Sequence, residues 1–470
     1  MVKPRQKKKR RQASVSFWSQ NAKPLIGLAA GVLVAGIVFV VARSSARGEA
    51  NEKIAAELAL LAGEGLSIEL TDLDPEPSRS LQDACRSHAP RELSAATQDV
   101  LWDESTPISL LSPDRRPQRI ELTTKQRKAL TRSAKDCEPL LVALLETDGM
   151  TQDTATLLVV TNPGGDLDPS DPRPALLLAR EALQYRVVLA VEKRAVGKAW
   201  KTVERMIAIA GRLEGPGTQW RQVSDAWVQA VFDAITGLLA SLPPPAADTS
   251  KRIRRGLTKL EDTAGVQLCL RAEFARLLVI SRGLLEEDSE GEAFVRRELE
   301  PDTAGKLIKV ARAFQGRILA DRVDLVRLQA RLIRASALPA HQSGVEAGAV
   351  GEELRALPRT HVVNHLWGGE GVRQLAEHQP VRVARLRLAR MALALAAQEE
   401  LPKSAPRALV DPFSSKGSPL RWRRIGPREG VLWSPGSDAD LELDRGEFTP
   451  EGEAPPFHWV RLELRLPQGS

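Results

Sequence analysis

The chain has 470 residues, with 67 Lys and Arg against 60 Asp and Glu and a formal net charge of +7. The first 48 residues hold ten of the basic residues and no acidic one, so the rest of the chain has a net charge of −3. A nearly neutral body with one tyrosine lacks the basic surface and stacking aromatics of a nucleic-acid-binding protein, and three cysteines are too few for a disulfide scaffold or a C-x-x-C zinc site.

The N-terminal region predicts a basic cytoplasmic tail at residues 1–23 and a transmembrane helix at residues 24–42. Residues 24–42 carry no charge and lie between Lys23 and Arg43. A helix of that length rises through roughly 30 Å, the thickness of a hydrocarbon core. Eight Lys and Arg precede this segment and two follow it before residue 49, which favours a cytoplasmic N-terminus. We therefore expect a single-pass protein of the bacterial inner membrane, with the bulk of the chain in the periplasm.

Two features of this segment leave alternatives open. Ser44-Ser45-Ala46 would serve as a signal-peptide cleavage site, although the apolar run is longer than a usual signal peptide has and so favours an uncleaved anchor. Gly27 and Gly31 form a G-x-x-x-G pair, which lets two helices dimerise at close distance. The same spacing arises by chance in a span so rich in Gly and Ala. The expected partners are the lipid bilayer, other envelope proteins and a second copy of the chain, and no nucleic acid.

Residues 43–173 predict a stalk followed by short mixed elements. Glu49–Gly63 has helical periodicity and continues the membrane helix into the stalk, and Leu66–Leu70 alternates like a short strand. Six prolines between residues 72 and 118 permit only short helices there, such as Glu92–Trp102.

The second part of this region predicts one interrupted helix and one turn. Thr123–Glu146 is helical in pattern, with Thr123 or Thr124 as the N-cap and Pro139 as a break. Thr156–Pro174 predicts a short strand and a long turn, because its Asn-Pro-Gly-Gly sequence lacks the Lys-Ser/Thr of a phosphate-binding loop.

The cysteines divide into one core residue and one open pair. Cys269 lies on the apolar face of a predicted helix and is expected to act as a small core residue. Cys85 and Cys137 both lie in the first exported segment. An oxidising compartment permits a disulfide between them, but sequence spacing does not decide whether they are close enough.

Residues 174–401 predict a helical body. Apolar residues recur at three- and four-residue steps without a fixed long repeat, so we expect a multi-helix bundle or an irregular helical array. The predicted helices are Pro174–Leu213, Trp220–Leu242, Thr249–Leu285, Gly291–Leu299, Pro301–Leu338, Gly351–Leu357 and Val381–Gln398.

Residues 402–470 predict a small antiparallel β module. The sequences LRWRRI, GVLWS, ADLELD and HWVRLELRL all alternate with a period of two. The fold class expected for the whole chain is therefore mainly α, with a small β module at the C-terminus.

The C-terminal 80 or so residues contain motifs that resemble the end of type II secretion major pseudopilins. A helix at Leu386–Gln398 precedes the D-P-F turn of Leu409–Phe413, a strand follows G-S-P in Gly417–Trp422, and Gly430–Asp438 contains W-S-P-G-S-D. No Gly-Phe prepilin cleavage site precedes the distant membrane helix, which argues against a polymerising pseudopilin. The combination of a helical body with this tail is more similar to a group of uncharacterised single-span envelope proteins of high-GC bacteria. The segment Leu268–Leu285 fits the same resemblance. This resemblance implies an architecture and no activity.

Two histidines form the first candidate metal site. His361 and His365 would lie one helical turn apart, the spacing with which two imidazoles reach one zinc ion. A zincin has Glu where Val362 stands, and the third ligand would be His378 or Glu370. The site would belong to a periplasmic metal-dependent hydrolase or peptidase. A pair of ordinary surface or core histidines explains the same pattern.

Alternating acidic residues form the second candidate metal site. Asp438 and Asp440 begin a run of four acids that would share one face of a strand. Carboxylate and turn-carbonyl oxygens suit calcium, and the pseudopilin resemblance implies calcium because that family's tail holds the ion. Leu443 stands where an EF-hand loop would need Gly, and a solvated strand face also explains the acids.

No nucleophile motif of the G-x-S-x-G or S-x-x-K kind stands in a suitable context. The sequence therefore favours a non-catalytic envelope scaffold or protein-interaction module anchored in the membrane. The alternatives are the hydrolase at His361 and His365 and a secretion-system subunit with a calcium-stabilised tail.

Overall fold

The structure is a computed structural model, and most of the residues that it describes are in helices. The described residues are 47–66, 68, 75–77, 84–85, 87–88, 122–146, 150–155, 173–213, 218–261, 264–285, 292, 296, 305–306, 308–309, 315–358, 361, 369–404, 409–436 and 460–465. Within these ranges, no helix has both the length and the apolar character needed to cross a membrane. The predicted span at residues 24–42 lies outside them.

The order of elements confirms a mainly helical chain with a small antiparallel sheet near its C-terminus. The helices are α1 (residues 47–63), α2 (Thr124–Asp136), α3 (Glu138–Glu146), α4 (Arg173–Glu192), α5 (Val196–Ala210), α6 (Thr218–Ser241), α7 (Ala247–Leu260), α8 (Ala264–Leu285), α9 (Gln315–Ser336), α10 (Ala340–Ala356), α11 (Glu370–Arg373) and α12 (Gln379–Ala396), with a π-helical turn at Gln374–His378 between the last two. The strands are β1 (Pro75–Pro77), β2 (Met150–Ala155), β3 (Arg421–Arg424), β4 (Glu429–Ser434) and β5 (Val460–Arg465).

Helix α2 begins at the predicted N-cap. The Gln126 N–H donates to Thr123 Oγ1 at 3.2 Å, and the Thr123 N–H donates to Gln126 Oε1 at 3.0 Å, which forms a reciprocal capping box. The break falls at Cys137 rather than at Pro139. Pro139 lies in the first turn of α3, where the missing N–H of proline costs no helical hydrogen bond.

Two helices that the periodicity predicts as continuous are each divided. The stretch Pro174–Leu213 forms α4 and α5, because Arg194 adopts a left-handed conformation with φ of 51°. The N–H of Ala195 donates to the carbonyl of Ala190 at 2.8 Å, which is the closing bond of a Schellman motif. Glycine usually occupies that position. Because Arg194 stands there instead, the sequence lacks the usual signal for a helix end. The stretch Thr249–Leu285 likewise forms α7 and α8.

The helices enclose two hydrophobic cores. The first core lies between α4, α5, α6, α7, α12 and the C-terminal sheet, and it includes the buried rings of Tyr185, Trp200 and Trp227. The second core lies between α1, α8, α9, α10 and the π-helical turn, and it includes Phe274 and Val350. Contacts of α6 with α8 and of α10 with α12 connect the two.

The C-terminal sheet has the order β3-β4-β5 with antiparallel neighbours. Leu432 on β4 pairs with Leu462 on β5, and both are buried in the first core together with Leu464. Because β4 and β5 pack against α12, the strands predicted as an appended module share their core with the helical body.

The helix predicted as a stalk also packs against the body. Residues 47–63 are helical as expected, but Ile54 and Leu61 are buried in the second core. Helix α1 is therefore one of the helices of this core. In the following region, β1 and β2 pair with each other. The strands predicted at Leu66–Leu70 and at the start of Thr156–Pro174 lie largely outside the described residues.

Gly430 occupies a position in β4 that no larger residue fits. A Cβ there would lie 2.6 Å from Cζ3 of Trp422 and 3.0 Å from the carbonyl oxygen of Arg423. The indole cannot move aside freely, since its Nε1–H donates to the Pro402 carbonyl at 3.1 Å.

Replacing Gly430 with Ala should lower the free energy of unfolding by about 1–3 kcal/mol, the usual cost of overpacking. The measurement is denaturant unfolding of Gly430→Ala beside Gly426→Ala, whose added Cβ has nothing within 4 Å. Equal stability of the two variants would contradict the close contact with the Trp422 ring.

Candidate functional site

His361 is buried and binds two carboxylates of α9. Its Nε2 lies 3.1 Å from Asp321 Oδ1 and 3.2 Å from Asp324 Oδ2, and its backbone N–H donates to the Pro358 carbonyl at 2.8 Å. His361 lies in backbone outside any helix, five residues beyond the end of α10. His365, its predicted partner, is outside the described residues. The contacts attach the chain after α10 to α9.

From Asp324 a row of charged side chains continues along the exposed face of α9, and we call it the α9 charge ladder. Its basic members are Arg327, Arg331 and Arg334, spaced so that they share one face of the helix. Arg327 bonds to Asp324 and Glu353. The acids that the ladder binds beyond α9 are Glu353, Glu346, Glu57 and Glu64.

The ladder joins α9 to a different helix on each side. Towards α10, Arg331 Nη2 lies 2.7 Å from Glu346 Oε1 and its Nη1 lies 2.6 Å from Glu353 Oε2. Towards α1, Arg334 Nη1 lies 2.6 Å from Glu57 Oε1 and its Nε lies 2.9 Å from Glu64 Oε2. The Arg334 guanidinium therefore binds two acids that lie about two turns apart at the C-terminal end of α1.

A second polar cluster lies inside the protein between α6 and α12. Arg382 donates from Nη1 to Ser224 Oγ at 2.9 Å and to Asp225 Oδ1 at 3.0 Å, and from Nη2 to the Leu260 carbonyl at 3.2 Å. Arg221 Nε lies 3.3 Å from Asp225 Oδ1, and its Nη2 donates to Gln379 Oε1. Both guanidiniums are buried almost completely, so a single carboxylate lies between two buried cations.

Burial shifts the ionisation of this cluster. It raises the pKa of Asp225, and the positive charges of Arg221, His378 and Arg385 oppose that shift. It lowers the pKa of Arg382 to about 9, which leaves this guanidinium charged at neutral pH. Removing one partner of such a buried group typically costs 3–5 kcal/mol, so the cluster determines how α6 and α12 pack together.

The π-helical turn precedes this cluster and has a local cause. Pro380 is the second residue of α12, and a proline ring clashes with the carbonyl four residues earlier in a regular α-helix. The wider turn at Gln374–His378 accommodates the ring and leads directly into Gln379, which is buried. The turn also packs against α10, and Leu375 within it is buried in the second core.

Asp411 forms the third polar site, in the predicted D-P-F turn. Its Oδ1 accepts from the Phe413 N–H and from Ser434 Oγ–H, both at 3.0 Å. Ser434 Oγ is also 3.4 Å from the Gly436 N–H. The buried side chain of Asp411 therefore connects the D-P-F turn to the end of β4, the two motifs that the sequence resemblance brings together. No donor in the described part of the chain hydrogen-bonds to Asp411 Oδ2.

The other predicted site residues have different outcomes. Asp438 and Asp440 are outside the described residues. Cys85, Cys137 and Cys269 are buried thiols, and no disulfide joins Cys85 to Cys137. Burial raises the pKa of Cys137 to about 11. Across the described ranges, the His, Cys, Asp and Glu side chains form no group of three or more arranged to hold a metal ion.

Sequence reasoning missed the acidic partners of these sites. Asp321 and Asp225 look like ordinary helix-surface acids in the sequence, since nothing local reveals which distant residue each one meets. The sequence of α12 contains a signal that could have predicted the role of Asp225. Apart from its arginines, this helix is as apolar as a buried helix. Buried arginines need an acidic partner elsewhere in the fold.

Comparison with known proteins gave no match to a family model, a curated protein or a solved structure.

Asp411 should make stability depend on pH in the acidic range. Burial raises the pKa of this carboxyl to about 6, against roughly 3.9 in an unfolded chain. The folded state therefore binds the proton more tightly. The stability that the group contributes is complete below about pH 4 and is lost as the pH rises through about 6.

In Asp411→Asn, an amide oxygen still accepts from Phe413 and Ser434 but does not titrate. Relative to this variant, the free energy of unfolding of the wild type should fall by about 2–3 kcal/mol between pH 4 and pH 7. The measurement is urea unfolding across this range in the presence of a chelator. If the difference in the free energy of unfolding between the wild type and Asp411→Asn stayed constant with pH, Asp411 would ionise as a solvated acid.

Proposed function

We propose that this chain is a membrane-anchored scaffold of the bacterial envelope, a non-catalytic module that binds other envelope proteins. In this proposal residues 24–42 cross the inner membrane once with the N-terminus in the cytoplasm. The two-core helical body lies in the periplasm.

The attachment of α1 is the observation that supports this proposal most directly. Helix α1 is described from residue 47 onward, a few residues after the predicted span, and its residues Ile54 and Leu61 are buried in the second core. Arg334 adds ion pairs to Glu57 and Glu64. An anchor that continues into a packed helix holds the body in one orientation above the bilayer, which is useful for a scaffold and unnecessary for a tethered enzyme.

The polar clusters support the same proposal. Asp321 and Asp324 bind His361, Asp225 lies between two arginines, and Asp411 connects a turn to a strand. Each cluster joins elements that are distant in sequence. The alternative of a hydrolase at His361 and His365 gains no support, because Nε2 of His361 is bonded to two carboxylates.

The topology is tested with a pair of reporters fused after Ser470. Alkaline phosphatase should be active and a fluorescent protein that matures only in the cytoplasm should be dark, because the basic residues before the span hold the N-terminus inside. The fusion should also stay in the membrane pellet after carbonate extraction. A bright fluorescent fusion would overturn the orientation, and a soluble, shortened product would mean that residues 24–42 are a cleaved signal peptide.

We propose as a second candidate that the tail binds calcium, as in a secretion-associated subunit. The supporting observation is the buried Oδ2 of Asp411, which no donor in the described ranges satisfies. Ser434 connects Asp411 to the end of β4, and Asp438 and Asp440 follow that strand in the sequence. Carboxylate oxygens of this kind suit a hard divalent cation.

Calcium at a hundredfold excess over its Kd should stabilise the folded full chain by about 2.7 kcal/mol relative to chelator. The measurement is thermal unfolding with and without calcium, for the wild type and for the double variant Asp438→Asn, Asp440→Asn. The double variant should lose the difference. Equal melting temperatures of the wild type in both conditions would leave these acids as a solvated strand face.

A further inference from the structure

Helices α5 and α7 together form a strongly basic surface. They hold eight Lys and Arg against two acids, Glu204 and Asp248, which gives a net charge of +6, whereas the chain beyond residue 48 has a net charge of −3. Five of the eight basic side chains are exposed, and within the described part of the chain no carboxylate bonds to them. We call these five residues the basic face: Lys198, Lys201, Lys251, Arg255 and Lys259.

Two contacts show how α5 and α7 lie against each other. Arg252 Nε donates to Glu204 Oε1 at 2.7 Å. One turn further along both helices, a Cβ on Gly256 would lie 2.6 Å from Cγ2 of Ile207, so the absence of a side chain at Gly256 lets the helices approach closely. Because the contacts advance in the same direction on both helices, α5 and α7 run parallel and side by side.

The exposed sides of the two helices form one continuous surface. Lys201 precedes Glu204 by three residues and Arg255 follows Arg252 by three residues, so each of these cations shares a helix face with one member of the ion pair between α5 and α7. The other members of the basic face follow at spacings of three or four residues on the same two faces. The ion pair itself is neutral, so the cations on either side of it add to one another.

The side chains of α5 and α7 favour an acidic protein as the ligand over a nucleic acid or a bilayer. Unpaired bases stack on exposed aromatic rings, but Trp200, the one aromatic residue of these two helices, is buried. Helices that bind at a bilayer surface combine basic residues with apolar side chains that enter the headgroup region. The large exposed hydrophobic residues of the described ranges lie on other elements.

The spacing of the cations suits an acidic helix in particular. Lys251, Arg255 and Lys259 are four residues apart, which places them about 6 Å from one another along α7. Carboxylates four residues apart on a partner helix have the same spacing. Lys198 and Lys201 form a second row on α5, and the axes of packed helices lie about 8–10 Å apart. The acidic stripe of one helix would therefore meet cations on both sides.

We propose that the basic face binds an acidic helix of another envelope protein. This proposal rests on the proposed function, because it identifies the surface with which the scaffold binds a partner. Complementary charges of this kind speed association and select the partner, and salt weakens the binding.

The first test is carbodiimide crosslinking of the full-length chain to a synthetic helical peptide with Glu at every fourth position. Carbodiimide joins a lysine amine to a carboxylate, and mass spectrometry identifies each lysine that is linked. This readout separates the basic face from the basic residues before the predicted span, which attract any acidic probe. The four lysines of the face should be linked about fivefold more often than Lys309, an exposed lysine on neither helix. Equal linking of Lys309 would overturn the proposal.

The second test is charge reversal with a matched control. Lys201→Glu, Arg255→Glu changes one residue on each helix of the basic face. Lys53→Glu, Arg355→Glu makes the same change in charge on α1 and α10, at side chains that are 60% and 71% exposed. By fluorescence anisotropy, the face variant should bind the peptide about fivefold more weakly than the control variant, while both keep the thermal unfolding of the wild type. Equal Kd values for the two variants would overturn the proposal.

Two other occupants of the basic face have their own outcomes in the crosslinking test. Links from the face lysines to residues 437–459, which include seven acids, would mean that the face binds the chain's own acidic segment. Loss of the peptide links in phosphatidylglycerol nanodiscs, but not in phosphatidylcholine nanodiscs, would assign the face to a bilayer surface. Either outcome would overturn the proposal.

Carbonate extraction separates this proposal from the proposed function. A chain that stays in the membrane but links no peptide at the face overturns only the binding of an acidic helix. A chain that leaves the membrane overturns the anchor, whereas selective linking of the face lysines in the same chain would still support the acidic ligand.

Discussion

Helix α12 carries four arginines and is buried on almost every side. Neighbouring elements of the body supply the polar partners that these arginines need. A buried guanidinium needs an acid or a carbonyl close by. Arg382 meets Asp225 from α6 and the carbonyl of Leu260. Arg387 and Arg390 share Glu261, at 2.7 Å and 2.6 Å, just beyond α7. Because α12 also covers β4 and β5 and contacts α10, these bonds determine how both cores and the sheet meet.

Different interactions hold α1 and determine its orientation. Burying a side chain such as Ile54 or Leu61 contributes about 1.5–3 kcal/mol, whereas an exposed or half-exposed ion pair contributes about 0–1 kcal/mol. Apolar burial therefore keeps α1 on the second core, and the bonds of Arg334 to Glu57 and Glu64 select its rotation and register. This division of roles makes α1 part of the helical body. It also leaves Leu60 facing outward beside the α9 charge ladder.

The candidate sites show which contacts a local sequence pattern can predict. The D-P-F and W-S-P-G motifs are visible in the sequence, and Asp411 and Ser434 within them are hydrogen-bonded to each other. The histidine pair is equally visible, yet His361 lies outside a helix and its neighbours are Asp321 and Asp324. A helical spacing predicts proximity only where the backbone is helical, and His361 itself is not in a helix. The partners of Arg382 are more than 100 residues away in sequence, so no spacing rule applies to them.

The sequence by itself determined the helical character of the body, a helix start at Thr123 or Thr124, the strands β3, β4 and β5, and the position of the long uncharged run at residues 24–42. Each of these depends on side chains within a few residues of one another, through apolar periodicity, capping chemistry or charge. Tertiary structure alone decided that α1 packs instead of standing as a stalk, that the sheet joins the first core, and that Asp225 lies between two arginines. These outcomes depend on which apolar faces find each other and which buried charges they bring together, and that information is spread over the whole chain.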